Sequence, residues 1–121
     1  MKKMILIIED NRLNYKLLAD FLGAQGYATQ NLDNGRDVIS FVQKNNTSLI
    51  LLDIQLPDIS GFDVMDLLKN DPVARCIPVI AVTACAHAEE QHLAKIKGFQ
   101  AYVTKPVQMN EMLTLIQGYI P

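Results

Sequence analysis

Three stretches of this chain, Met4–Ile8, Leu49–Leu52 and Val79–Val82, are continuously apolar and lack the in–out alternation of a half-exposed strand. Runs of that length suit strands buried on both faces, as in a parallel sheet covered by helices. Tyr27–Asn31 and Ala101–Thr104 are less apolar and predict strands nearer a sheet edge. Between the runs lie segments with apolar residues at helical spacing. Leu13, Leu17, Leu18, Phe21 and Leu22 predict a first helix, with Gly23 and Gly26 where it should stop. Val38, Ile39, Phe41 and Val42 predict a second, after the turn Asp33-Asn34-Gly35. Val64, Leu67 and Leu68 predict a third, opened by Ser60-Gly61 and closed before Pro72. A fourth, ending near Gly98, is the least apolar (Leu93, Ile96), and the last carries Met112, Leu113 and Ile116. Strand then helix, repeated, predicts an α/β fold: an open five-stranded parallel sheet with helices on both faces. No repeat, linker or second domain interrupts the pattern, so residues 1–121 read as one domain.

Composition narrows the class without naming a function. The 121 residues are half apolar and one-fifth charged, with 11 basic and 13 acidic side chains and a net charge of −2. A chain of this size hides roughly 65% of its unfolded surface, enough for a core without staples. The near-neutral balance gives no electrostatic footprint for nucleic acid or an anionic membrane. The N-terminal apolar run stops at Glu9, too short for a secretory signal. No stretch approaches the ~20 apolar residues that span a bilayer. Two cysteines, Cys76 and Cys85, fit a reducing compartment, and a cytoplasmic protein is expected.

In open parallel sheets, ligands bind beyond the carboxyl ends of the strands. Glu9 and Asp10 follow the first apolar run, Asp53 the third, Thr83 the fourth and Lys105-Pro106 the fifth. Singly, each has a plain structural explanation: a solvated loop, a turn former, a helix cap, a surface cation. Together they put complementary groups on one edge. Three crowded carboxylates raise one another's pKa or take up a cation. An oxygen-only donor set at loop ends favours a hard cation, Mg²⁺ with Mn²⁺ able to substitute. His87 and His92 have no cysteine at ligand spacing and are expected on the exposed side of the fourth helix. A carboxylate beside a hard cation, a lysine and a hydroxyl is suited to phosphoryl transfer. Asp53 can attack phosphorus, Lys105 can neutralise the equatorial oxygens and Thr83 can donate to one of them. Ala84 is small enough to leave the group room.

Four motifs carry a family resemblance that covers essentially the whole chain: Ile8-Glu9-Asp10-Asn11, Leu51-Leu52-Asp53-Ile54-Gln55-Leu56-Pro57, Val82-Thr83-Ala84 and Thr104-Lys105-Pro106. They resemble the receiver domain of two-component response regulators, and are similar to stand-alone receivers of the cell-cycle type. The resemblance implies strand order 2-1-3-4-5. It makes Asp53 the phosphoacceptor, with Mg²⁺ held by Asp10, Asp53 and the Gln55 backbone carbonyl, and by Glu9 directly or through water. It makes Thr83, the Ala84 backbone and Lys105 the phosphate-binding groups, and Thr83 with Tyr102 the switch pair. The bond before Pro106 becomes a candidate cis peptide. Gln55 and Cys85 stand where relatives tune how long the phosphoryl group survives.

The implied function is a phosphoryl-accepting switch, catalytic only in its own phosphorylation and dephosphorylation. The chain ends soon after the fifth helix, so no output domain is expected. Its partners would be a histidine kinase or histidine phosphotransfer protein, and a downstream protein bound through the fourth helix, fifth strand and fifth helix. No nucleic acid and no membrane insertion are expected. Two other functions use similar parts. An aspartyl phosphatase of the haloacid dehalogenase type needs a second aspartate where this chain has Gln55. A nucleotide or flavin module needs a glycine-rich loop where it has Glu9-Asp10-Asn11-Arg12. A phosphate-independent binding module would not need the five signature residues.

Overall fold

The structure is a computed structural model that describes residues 2–85 and 87–120. Along the chain run β1 (Met4–Ile8), α1 (Arg12–Ala24), β2 (Ala28–Leu32), α2 (Val38–Lys44), β3 (Leu49–Asp53), α3 (Gly61–Lys69), a single 3₁₀ turn (Ala74–Cys76), β4 (Val79–Thr83), α4 (Ala88–Lys97), β5 (Ala101–Thr104) and α5 (Met109–Tyr119). The strands form one parallel sheet in the order β2-β1-β3-β4-β5. The expected α/β sheet and strand order are therefore present. β3 and β4 are buried at every position, as their unbroken apolar runs require.

Alternate residues of β1, β3 and β4 feed separate cores on the two faces. Ile5, Ile7, Leu49, Leu51, Ile80 and Val82 pack with Leu18 and Leu22 of α1 and Met112 and Ile116 of α5. Leu6, Ile8, Ile50, Leu52, Val79 and Ala81 pack with α2 and α3 through Val38, Val42, Val64, Met65 and Leu68. Each fully buried Leu, Ile or Met stabilises the fold by about 1.5–3 kcal/mol relative to exposure.

The helical stripes are narrower than the sequence pattern predicts. In α1 only Leu18 and Leu22 are buried, while Leu13 and Leu17 remain 65% and 52% exposed. In α3 the buried positions are Gly61, Val64, Met65 and Leu68, and Leu67 faces out. In α4, Leu93 and Ile96 are both exposed and Ala94 alone is buried. A helix lying flat on a sheet buries a stripe about two side chains wide, so a broader apolar pattern spills onto the surface. What favours α4 is instead its charge order, with Glu89 and Glu90 in the first turn and Lys95 and Lys97 in the last. It stops at Gly98, whose φ of +98° is the left-handed region that glycine enters without penalty. α1 runs through Gly23 and ends before Gly26, at φ +96°.

One glycine is fixed by crowding. Gly61 begins α3 against the end of β3, its N–H donating to the Ile54 carbonyl at 2.9 Å. A Cβ there would lie 2.8 Å from the Asp53 carbonyl oxygen and 2.7 Å from the Ile54 Cα. The start of α3 is thereby held against the residue that closes β3.

Candidate functional site

At the carboxyl edge of the sheet, β1 delivers Glu9 and Asp10, β3 ends on Asp53, β4 ends on Thr83, and the chain leaving β5 carries Lys105. Parallel pairing of β1 with β3, β3 with β4 and β4 with β5 brings these ends side by side. Glu9 and Asp53 are 4% and 3% exposed, Thr83 is fully buried, and Asp10 and Ala84 are exposed.

Lys105 Nζ bridges the two buried carboxylates, at 2.9 Å from Asp53 Oδ2 and 3.1 Å from Glu9 Oε2. One cation faces two anions, so the pair is under-neutralised. Burial pushes Asp53 up from 3.8 to about 6, and the neighbouring Glu9 adds to that rise against the opposing pull of Lys105. Burial acts the same way on Glu9, but hydrogen bonds from Asp53, Asn14 and Lys105 outweigh it and hold Glu9 below its ordinary value. Lys105 stays a cation: desolvation disfavours its charge, and the two carboxylates more than offset that.

The donor set fits a hard cation. Glu9, Asp10 and Asp53 each offer a carboxylate oxygen, and these oxygens lie within 4.8 Å of one another. Oxygen ligands with no thiolate or imidazole among them suit Mg²⁺ rather than zinc.

Several contacts were not expected from sequence. Asn14 Nδ2 donates to Glu9 Oε1 at 3.1 Å. Asn31 Nδ2 donates to the carbonyls of Ile7 and Glu9, at 2.9 and 3.1 Å, and so ties β2 to the loop that carries the acids. Its polarity inside a strand is the one signal the sequence offers. Gln55 donates its backbone N–H to Asp53 Oδ1 at 3.0 Å, and its side chain turns toward β4. There Nε2 donates to Thr83 Oγ1 at 2.9 Å and Oε1 accepts from the Ala84 N–H at 3.3 Å. Thr83 Oγ1 also accepts from the Cys85 N–H at 3.1 Å.

Tyr102, on β5, is half-buried. Its hydroxyl hydrogen is shared between the Cys85 carbonyl and Glu90 Oε1 of α4. Burial and the Glu90 carboxylate raise the phenol above its ordinary value. The hydroxyl is thus tethered beside the β4–α4 loop and is not simply wet. The Lys105–Pro106 peptide is cis. His87 and His92 are both exposed, His87 just ahead of α4 and His92 on it.

A cavity of about 450 Å³ opens beside the carboxylates, between β1, α1 and the segment after Lys105. Leu17, Leu18, Val82, Val107 and Met109 line it together with Glu9, Asp53 and Lys105. The exposed Leu17 is therefore the rim of a largely apolar approach to Asp53.

Comparison with known proteins places this arrangement. The chain is 40% identical to the polar-differentiation response regulator DivK of Brucella anthropi, over 99% of this chain and 98% of that one. With the protein of the same name from Brucella ovis it shares 39% identity over the same extents. Among solved structures, the receiver domain of a Pseudomonas aeruginosa sensor histidine kinase superposes with a TM-score of 0.90 at 25% identity. It covers 99% of this chain and 98% of its own, and carries a magnesium ion in its active-site cleft. The Vibrio cholerae chemotaxis protein CheY4 shares the fold, with a TM-score of 0.91 at 19% identity, over 98% of this chain and 99% of its own. The profile of the response regulator receiver domain matches residues 5–117. The chain belongs to the response regulator receiver domain family.

Proposed function

We propose that this chain is a Mg²⁺-dependent phosphoryl-accepting switch, with Asp53 as the acceptor. The observation that carries the reading is the position of Asp53: a buried carboxylate on the carboxyl edge of the sheet, bonded to Lys105 and backed by two further acids. Its pKa of about 6 leaves it ionised, and so nucleophilic, at neutral pH. A carboxylate oxygen of Asp53 forms the O–P bond as the P–N bond of a phosphohistidine breaks, and the electron pair leaves on the imidazole nitrogen. Water later cleaves the acyl phosphate and restores the carboxylate. Lys105, already beside Oδ2, is placed to neutralise a phosphoryl oxygen. Asp10, Asp53, Glu9 and the Gln55 carbonyl would hold Mg²⁺. When bound, the ion supplies charge that offsets the carboxylates and the incoming oxygens.

Thr83 and the Ala84 N–H are the donors next in reach, and Thr83 with Tyr102 would form the switch. Drawing the Thr83 hydroxyl toward the phosphoryl group changes the space beside Tyr102, whose tether reaches α4 through Glu90. Shifting a two-state population from 1:99 to 99:1 takes about 5.5 kcal/mol, whereas one hydrogen bond contributes roughly 0.5–1.5 kcal/mol. Lys105 and partner binding must supply the rest. The donors would be a histidine kinase or a histidine phosphotransfer protein in the cytoplasm, and a protein target would read the α4–β5–α5 face. Catalysis would be confined to the domain's own phosphoryl group.

The test is direct. Acetyl phosphate with Mg²⁺ should add one phosphoryl group to the wild type, seen by intact mass, and none to Asp53→Asn. Equal modification of both would remove Asp53 from the role.

A further inference from the structure

The Gln55 side chain lies at the surface, where a flexible carboxamide ordinarily points into water, yet both of its polar atoms are engaged across the site. The amide orientation follows from its partners. The Ala84 N–H can only donate, so Oε1 faces it at 3.3 Å, which leaves Nε2 to donate to Thr83 Oγ1 at 2.9 Å. Thr83 Oγ1 accepts a second bond from the Cys85 N–H at 3.1 Å. With both lone pairs occupied, the hydroxyl hydrogen is directed away from these donors. The same residue donates its backbone N–H to Asp53 Oδ1 at 3.0 Å. One residue thus spans the acceptor carboxylate and the two groups that would bind a phosphoryl oxygen.

We propose that Gln55 is a positioning residue that keeps the unmodified domain closed. Its carboxamide occupies the Thr83–Ala84 pair and must be displaced before a phosphoryl group on Asp53 can use that pair. This rests on Asp53 being the acceptor. The carboxamide and the phosphoryl group compete for the same Ala84 N–H, while the bond that Thr83 Oγ1 accepts from Nε2 holds the hydroxyl in its present orientation. Gln55 therefore sets how much of the binding energy of the phosphoryl group goes into opening the site. It does so before any hydrolysis takes place.

The competition is measurable with beryllofluoride, which mimics the phosphoryl group on a carboxylate, at saturating Mg²⁺. Gln55→Met keeps the length and the backbone carbonyl but has no amide, and should bind beryllofluoride about fivefold more tightly than wild type. That is the size expected from freeing one net neutral hydrogen bond, the Ala84 N–H for which the two compete. Gln55→Asn is one methylene shorter and reaches at most one partner, so it should fall between the two. In the Mg²⁺-free, unmodified protein, the Ala84 amide of Gln55→Met should exchange with water faster than that of wild type. Beryllofluoride affinity in Gln55→Met equal to or below wild type overturns the proposal, whatever the amide exchange shows, and leaves Asp53 as acceptor intact. Wild type that does not bind beryllofluoride at Asp53 overturns both.

Discussion

Lys105 and Glu9 form an ion pair of 3.1 Å in which the carboxylate is almost completely buried. The lysine proposed to meet the phosphoryl group is thus already committed to a second acid. Lys105→Met leaves Asp53 beside Glu9 with no cation, so the Asp53 pKa should climb beyond its present value of about 6. Acceptance from acetyl phosphate at pH 7 should fall about 10²-fold, the scale of losing one preorganised charge-stabilising group. The pH midpoint of the reaction should also move upward. An unchanged rate and midpoint would show that Lys105 plays no part in the acceptor chemistry.

Asp53 keeps its proton in the folded state up to about pH 6, while an ordinary aspartate loses it at 3.8. Stability from that protonation is present below 3.8 and is lost as pH rises through about 6. Above that window the ionised carboxylate destabilises the fold. Asp53→Asn should therefore be more stable than wild type at pH 7.5 without Mg²⁺, by about 1–3 kcal/mol. The gap should close near pH 4, and Mg²⁺ should stabilise the wild type more than the variant. Thermal melts across pH and Mg²⁺ read all three, and a variant less stable at pH 7.5 would refute the sign.

Gly61→Ala should be destabilising because the new methyl meets backbone, at 2.7 and 2.8 Å, and backbone cannot rotate away. Overpacking of this kind costs about 1–3 kcal/mol. The displaced end of β3 carries Asp53, so phosphoryl acceptance should slow as the melting temperature drops. An unchanged melting temperature would mean that α3 is free to move off β3.

In α1, Leu13→Ala should change stability by no more than about 0.5 kcal/mol, because Leu13 is 65% exposed. Leu18→Ala, five residues on and 6% exposed, should cost about 2–4 kcal/mol. Urea melts of the two variants separate them. Similar losses would mean that Leu13 is packed in solution.

Tyr102→Phe removes the bonds to Cys85 and Glu90 and leaves the ring. Backbone amides in the first turn of α4 should then exchange about fivefold faster, matching one net hydrogen bond. Identical exchange would show that the tether does not hold α4.

Strands were legible because an unbroken apolar run such as Leu49–Leu52 has few other uses, and because those runs deliver Asp53 and Thr83 to one edge. Helix faces were less legible. Leu13 and Leu17 have the spacing of a core stripe, yet the packed α1 buries Leu18 and Leu22. β2 runs Ala28–Leu32 in place of the expected Tyr27–Asn31, because a strand that mixes apolar and polar residues marks its own ends poorly. The acid, lysine and hydroxyl positions could be read from their places after the strands. The contacts of Asn31 and the Gln55 side chain could not, because each depends on a partner more than 20 residues away, and that of Asn14 with Glu9 depends on how the β1–α1 turn folds back.

The meagre burial of α4 has a consequence for how unevenly the molecule is held together. With Ala94 as its only buried residue, this helix has little apolar surface to lose when it lifts from the sheet. Its local opening free energy should lie well below the global value, while β3 and β4 open only when the whole domain unfolds. Native-state hydrogen exchange would then show a gradient across one small sheet, steepest between β4 and the helix that follows it. A perturbation of a few kcal/mol at Thr83 is small against the central strands, but comparable to what keeps α4 docked.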